Sequence, residues 1–349
     1  AAETAPESAL DARWQYRTEQ GLSLHERGRR FGDRDALLGA IRVYREEALP
    51  LAQRDSAPRN WAATQNNLGL TNALLGERGD RGQLEQAVAA FGSVLEIYTR
   101  RDEPDRWASA QKNLAGALTL LNERGGDASL SRAAAAYQAA ASVWPRERDV
   151  VEWAGIQLSY ANTLRIMGQS GSRALLLQSF DALEEIVAHL PREADPDVWS
   201  MAQGNLGITL TALSQGRGRD GERAVAALRL ALEEMREDDK PALWAQAQFN
   251  LGALLVMQAE ANPQALEPGL AALAAAERVL TLESFPRPWA MMRMYQALGY
   301  SIRAQNGDAS ALPQAIRAAQ DALEQFEAVG DAGRANGARQ VLQRLNQMR

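Results

Sequence analysis

The sequence predicts an all-α solenoid of stacked helical hairpins, on three observations. Seven of the eight tryptophans stand at near-constant spacing. Trp14, Trp61, Trp107, Trp153, Trp199, Trp244 and Trp289 are separated by 47, 46, 46, 46, 45 and 45 residues, and Trp144 alone falls outside the series. A fixed period of this size marks a repeat architecture, in which each unit buries its apolar faces only by stacking on its neighbours. Between the tryptophans, apolar and small residues recur three and four apart, the period of an amphipathic helix. Proline before each stretch and glycine-rich turns after it supply the start and stop signals. This pattern overrides the two or three globular domains that 349 residues would otherwise suggest.

The second repeat displays the elements in order. Pro58-Arg59-Asn60-Trp61 opens a first helix, here called helix A. Proline three residues before Trp returns at Pro104, Pro196, Pro241 and Pro286, and in a first turn its missing N–H would have had no partner anyway. Trp61, Gln65, Leu68, Gly69 and Ala73 follow at helical spacing. Helix A ends in turns such as Gly76 to Gly82, Glu123 to Asp127, Gly216 to Gly221 and Asn306-Gly307-Asp308. A second helix, helix B, is predicted from about Gln83 to Tyr98, with Leu84, Ala87, Val88, Phe91, Val94 and Leu95 on one face. The same Ala-to-aromatic step occurs at Ala40/Tyr44 and Ala133/Tyr137.

The residue eight after Trp is always small in repeats two to seven: Gly69, Ala115, Ala161, Gly207, Gly252 and Ala297. Glycine inside a helix costs up to about 1 kcal/mol relative to alanine. Its recurrence at one register predicts a close approach of two helices there.

These residues resemble the tetratricopeptide repeat, which carries a Leu-Gly pair in its first helix and Ala-x-x-x-Phe/Tyr in its second. The pair here is Leu68-Gly69, Leu206-Gly207 and Leu251-Gly252, with Leu114-Ala115 close to it, and Ala87/Phe91 and Ala133/Tyr137 supply the second pattern. The Asn-Leu-Gly triplet is most similar to long-repeat variants of kinesin-light-chain and bacterial type. The departures are the longer period, Gly21-Leu22 in the first repeat, Tyr160-Ala161 in the fourth and Gln296-Ala297 in the seventh. The resemblance implies a right-handed superhelical solenoid. Residues 1–10 are then expected to form a flexible N-terminal segment, 11–334 seven hairpin repeats, and 335–349 a capping helix from about Ala335 to Met348. A closed toroid of hairpins is the rival plan, against which the regularity of the repeat speaks.

The bulk composition excludes several function classes. With 38 basic and 44 acidic residues the chain carries −6, and no basic stripe of the kind nucleic acid requires is visible. No apolar run reaches the length of a membrane span. Cysteine is absent, so neither disulfides nor thiolate chemistry is available. The only histidines, His25 and His189, occupy non-equivalent places without a metal-binding partner at helical spacing. Neither a phosphate-binding glycine loop nor a nucleophile elbow is present. The pairs Glu46-Glu47, Glu184-Glu185 and Glu233-Glu234 lie on second helices, where adjacent side chains point apart. No enzyme and no cofactor are expected. Lys112 and Lys240 are the only lysines, an arginine bias that reads as the mark of a GC-rich bacterial genome. The opening Ala1-to-Ser8 run fits either the remnant of a cleaved signal peptide or a chain boundary, so periplasmic and cytoplasmic placements both stay open.

A polar ladder runs beside the tryptophans. Four residues after Trp stand Gln65, Gln111, Gln157, Gln203 and Gln248, and six after it Asn67, Asn113, Asn205 and Asn250. An amide both donates and accepts, which suits it to gripping a peptide backbone. The resemblance implies that first helices line a concave groove and that these asparagines face a ligand. The alternative is that the amides bond neighbouring repeats and hold the stack in register, the preferred reading for the glutamines. Helical geometry adds Asn66, Lys112 and Asn162 to the same face in the early repeats, and Met201, Phe249 and Met294, with Ile208, Val256, Met257 and Met291, in the late ones. Methionine is adaptable at binding surfaces, which points to an apolar trough in the C-terminal half; ordinary core packing is the other reading. The tryptophans are expected to staple successive repeats.

The expected function is a non-enzymatic scaffold or adaptor that binds a peptide or protein segment in the groove. A subunit docked laterally in a larger complex and a sensor of a peptide or small ligand remain the alternatives.

Overall fold

The computed structural model describes residues 7–123, 129–169 and 171–348. Among them every regular element is helical. The chain divides into two compact units, Ala1–Met167 and Gly168–Arg349. The first carries α1 (Glu7–Phe31), α2 (Arg34–Arg42), α3 (Pro58–Glu77), α4 (Arg81–Leu95), α5 (Pro104–Glu123), α6 (Ser129–Ala141) and α7 (Val150–Gly168). The second carries α8 (Arg173–His189), α9 (Pro196–Ser214), α10 (Gly218–Glu234), α11 (Pro241–Gln258), α12 (Leu266–Glu277), α13 (Pro286–Gln305), α14 (Ala311–Ala328) and α15 (Ala332–Gln347). Helix α1 starts at Glu7, inside the stretch expected to be flexible, while residues 1–6 and the turn residues 124–128 lie outside the described residues.

Within each unit, consecutive helices pair and the pairs stack. In the first, α1 packs on α2, α3 on α4 and α5 on α6, with α4 also against α5. In the second, α9 packs on α10, α11 on α12, α13 on α14, and α15 on α14. Five A helices start at the predicted prolines, Pro58, Pro104, Pro196, Pro241 and Pro286. Aspartate caps several other starts: the side chains of Asp33, Asp80 and Asp331 accept from Ala36, Gln83 and Arg334 backbone N–H groups. Such a cap contributes about 1 kcal/mol.

Four hairpins close where helix A lacks a side chain. A Cβ placed on Gly69 would stand 2.7 Å from the Phe91 ring, and on Gly207 2.6 Å from Leu228 Cγ. On Gly252 it would lie 2.9 Å from the Gly269 carbonyl oxygen. Gly21 does the same work in the first repeat, 2.4 Å from the Tyr44 ring, so the irregular Gly21-Leu22 is a one-residue shift of the same device. The B-helix pairs that meet these glycines, Ala40/Tyr44 and Ala87/Phe91, are wholly buried. Helix α2 widens into a π-helical turn over Val43–Ala48 that carries Tyr44.

The tryptophans are staples with an unforeseen lid. Trp153, Trp199 and Trp244 are buried, and an arginine guanidinium covers each ring. Arg54, Arg100, Arg146 and Arg192 lie over Trp61, Trp107, Trp153 and Trp199 at 5.4, 6.0, 6.0 and 4.9 Å. Each is the seventh residue before its tryptophan, on the preceding loop. In the sixth repeat Glu237 occupies that place and holds Arg278 by two bonds of 3.0 and 2.6 Å, and Arg278 covers Trp244 instead. A cation over an indole is worth about 0.5–1 kcal/mol at such sites.

First helices are also tied to one another. Trp14 Nε1 donates to Thr64 Oγ1 at 2.9 Å, and His25 Nδ1 lies 2.9 Å from Thr71 Oγ1. The two threonine hydroxyls donate to the Asn60 and Asn67 carbonyls, which leaves them as acceptors from α1. One neighbour is anomalous. Asn72 is 1% exposed, and neither its Nδ2 nor its Oδ1 has a partner. In repeats three to six the equivalent residues, Leu118, Leu164, Leu210 and Leu255, are buried leucines.

Four outcomes follow from this packing. Asn72→Leu should raise unfolding stability by about 1–3 kcal/mol, the cost of a buried amide without partners, read as a higher urea midpoint. Gly252→Ala should lower stability by about 1–3 kcal/mol despite better helix propensity, because the backbone across the contact cannot yield. Gly155→Ala, with open space around its Cβ, should raise it by up to about 1 kcal/mol in the same assay. Burial pushes the His25 imidazole below its ordinary 6.5, so the unfolded chain binds the proton more tightly. The contribution of neutral His25 is therefore complete above pH 6.5 and is lost as pH falls through the lower folded value. Melting at stepped pH should show His25→Gln losing less stability than the parent chain in that window.

Candidate functional site

Within each unit the register that follows each tryptophan sets which residues of the A helices are candidates for a binding face. In the first unit the expected residues Asn66, Asn67, Lys112, Asn113 and Asn162 are all half-buried. Asn113 Nδ2 donates to Asn66 Oδ1 at 3.2 Å, a tie from α5 to α3. Lys112 pairs with Glu152, and its ammonium sits 5.7 Å from the centre of the Trp144 ring. The Trp144 indole N–H in turn donates to Asp105 at 3.2 Å, which accounts for the one tryptophan outside the series. Asn162 Oδ1 accepts from Arg165 Nη2 at 2.6 Å. The Asn67 side chain makes no hydrogen bond among the described residues, and only its carbonyl is engaged, by Thr71.

In the second unit Asn205 repeats this state: half-buried, its carbonyl held by Thr209 at 2.8 Å and its amide unpartnered among the described residues. Asn250 accepts from Gln246 Nε2 at 3.3 Å within the same helix. Met201 packs half-buried against the α11 core. Phe249, expected on the groove, is instead 6% exposed and belongs to that core, where it meets Tyr295 edge-on at 5.9 Å and 64°. Its fifth-after-Trp register turns inward here because α11 is apolar nearly all round.

The glutamines do not lock the stack. None of Gln65, Gln111, Gln157, Gln203 and Gln248 bonds to a neighbouring repeat among the described residues, although Gln203 is buried. That task falls to Asn66–Asn113, Trp14–Thr64, His25–Thr71 and the Thr119–Thr163 contact at 3.4 Å.

The second unit also holds an apolar trough of about 500 Å³ between α13 and α15. Met291, Met294, Tyr295 and Leu298 form one wall, Val341 and Leu345 the other, with Phe326 beneath. Tyr295 stands where four other repeats have asparagine, and burial raises its phenol above the ordinary value, so it is a neutral donor. Arg334 and Arg344 mark the α15 side, and Glu260 lies at the edge. Met294, expected on the groove from its register, lines this trough. The α15 wall was not legible in the sequence, because that helix belongs to no repeat; the Val341/Leu345 spacing is the signal that would have found it.

On the opposite side of α13, Arg293 bonds Asp321 at 2.5 Å and Gln296 at 2.7 Å, and Gln296 donates to Glu277 at 2.8 Å. This network joins α12, α13 and α14. Among the described residues no cluster of metal-ligating side chains occurs, and no helix is long and apolar enough to cross a membrane.

No family model matches the chain, and no curated relative does. Among solved structures, the apo form of RapI is similar over 98% of this chain and 96% of that one, at 12% identity and a TM-score of 0.53. A Rap protein complexed with competence and sporulation factor covers 98% and 99% at 11% identity and a TM-score of 0.49. A circular tandem repeat protein with a novel repeat topology covers 97% and 90% at 17% identity and 0.29. The RapI likeness is one of fold. Paired helices, proline starts and glycine contacts agree with it, and the chain is an all-α, tetratricopeptide-like helical-repeat protein.

Proposed function

We propose that the chain is a non-enzymatic scaffold or adaptor that binds a peptide or protein segment along the face of its A helices. The observation that carries this reading is the state of Asn67 and Asn205. Both amides are half-buried and without a partner among the described residues, whereas Asn113 is engaged by a neighbouring helix. Amides that the chain leaves to solvent can exchange that water for the donor and acceptor of a peptide backbone. The trough beside α15 supports the same reading from the apolar side. Its volume accommodates side chains of a guest, and methionine walls adapt to varied shapes. Backbone capture by amides with side-chain pockets for selectivity is a recognised mode of peptide recognition.

Selection of short random-sequence peptides on the immobilised full chain tests this. Each amide is worth about 1 kcal/mol, so replacing Asn67 and Asn205 together by Ala should weaken retention roughly thirtyfold. The melting temperature should be unchanged, since neither amide holds the fold. Unaltered retention in the double variant, or no retention by the parent chain, overturns the reading.

A further inference from the structure

Gly337 is a glycine inside α15 that no packing contact explains. A Cβ built on it would meet nothing within 4 Å. Glycine is a poor choice in a helix interior, and at Gly69, Gly207 and Gly252 a neighbouring helix enforces it. What Gly337 keeps open is the apolar trough between α13 and α15, whose wall it helps to form. Local rules broken without compensation inside the fold concentrate at functional positions.

The trough is long and straight-sided. Met291 and Met294 cluster with Ala335 and Ala338, and Ala297 and Tyr300 with Val341 and Leu345, so α13 and α15 run side by side in one direction. The lining extends from Met291 to Gln305 on one helix and from Arg334 to Met348 on the other, about 20 Å at the helical rise. Its volume of about 500 Å³ lies within the range of small-molecule sites. A guest helix, about 10–12 Å across with its side chains, would stand largely outside it. A single extended aliphatic chain lies along it, and the thioethers of Met291 and Met294 adapt to its shape.

The two ends differ in charge. At the start of α15, Arg334 is neutralised by Asp331 at 2.5 Å. At the far end the lining gains Arg344 from α15 and Glu260 from the end of α11, where the adjacent Ala259 packs with Ile302. Neither Arg344 nor Glu260 has an ion pair among the described residues, with the other or with a third group. One mouth of an apolar slot thus presents a cation and an anion, each without a counter-charge, and this complements a head group that carries both signs. We infer that the trough is a binding site for a single-chain zwitterionic amphiphile, its aliphatic chain along the methionine wall and its anionic and cationic groups at Arg344 and Glu260. The site uses neither Asn67 nor Asn205 and is tested apart from the peptide reading.

Calorimetric titration of the full chain with dodecylphosphocholine, below its micelle-forming concentration, is the test. Affinity should fall roughly twofold to fourfold for each methylene removed from the chain, the mark of chain burial. Laurate, dodecyltrimethylammonium and dodecyl maltoside should each bind about threefold or more weakly, since each forgoes at least one charge contact. Arg344→Gln should abolish the advantage over dodecyltrimethylammonium, and Glu260→Gln the advantage over laurate. Gly337→Leu, which places a side chain in the slot, should weaken binding roughly tenfold, the loss of about two buried methylenes, with no fall in melting temperature. Leu298→Glu, at an exposed position on the opposite wall, should weaken it similarly. Absence of binding, binding that survives both blocking variants, or equal affinity for laurate or the maltoside overturns the inference. A lower melting temperature in Gly337→Leu means the space is already filled and also overturns it. Peptide retention that depends on Asn67 and Asn205 is unaffected by any of these outcomes.

Discussion

Close approach of helix A to helix B is the constraint from which the rest of this structure follows. At Gly21, Gly69, Gly207 and Gly252 the B-helix ring or leucine occupies the space where a Cβ would be. That contact fixes which face of helix A turns inward, and therefore which face is left over. In repeats two to five the tryptophan at the start of the A helix is then carried to the junction with the preceding loop, where an arginine lies across it. The arginine lids and the amide ladder share a register because a small residue, glycine or alanine, recurs where helix A meets helix B.

The two units use the leftover face differently. In the first, the face is polar: Asn66 and Asn113 tie helices together, Asn67 is left open, and Arg165 is a cation without a counter-charge. In the second, methionine and leucine on α13 meet Val341 and Leu345 on α15 and leave a trough. The same repeat thus supplies hydrogen-bonding groups in one place and an apolar recess in another, by substitution at a few fixed positions.

Much of the fold was legible because period, proline and glycine each report on local backbone geometry. Five helices begin at the residue the proline pattern indicates. The small residue eight after Trp pointed to a helix contact, and the contact is there at Gly69, Gly207 and Gly252. What stayed hidden depends on packing between elements. The Arg-to-Trp step of seven residues was present in the sequence at Arg54, Arg100, Arg146 and Arg192, but its meaning requires the loop to fold back over the ring. Phe249 was placed on the open face by register and is buried, because α11 has neighbours on nearly every side. The glutamines looked like locks from their spacing, and the actual ties use Thr64, Thr71 and Asn66, which carry no comparable periodicity.

Four of the hairpins close on themselves through a glycine of their own, so that contact is made inside the hairpin and not by its neighbours. A chain of this kind can lengthen or shorten by whole cassettes without redesigning those that remain. The single-residue shift at Gly21 shows how little adjustment a terminal cassette needs. Changes of partner can then accumulate at the variable positions of one helix surface while the scaffold that carries them is left untouched.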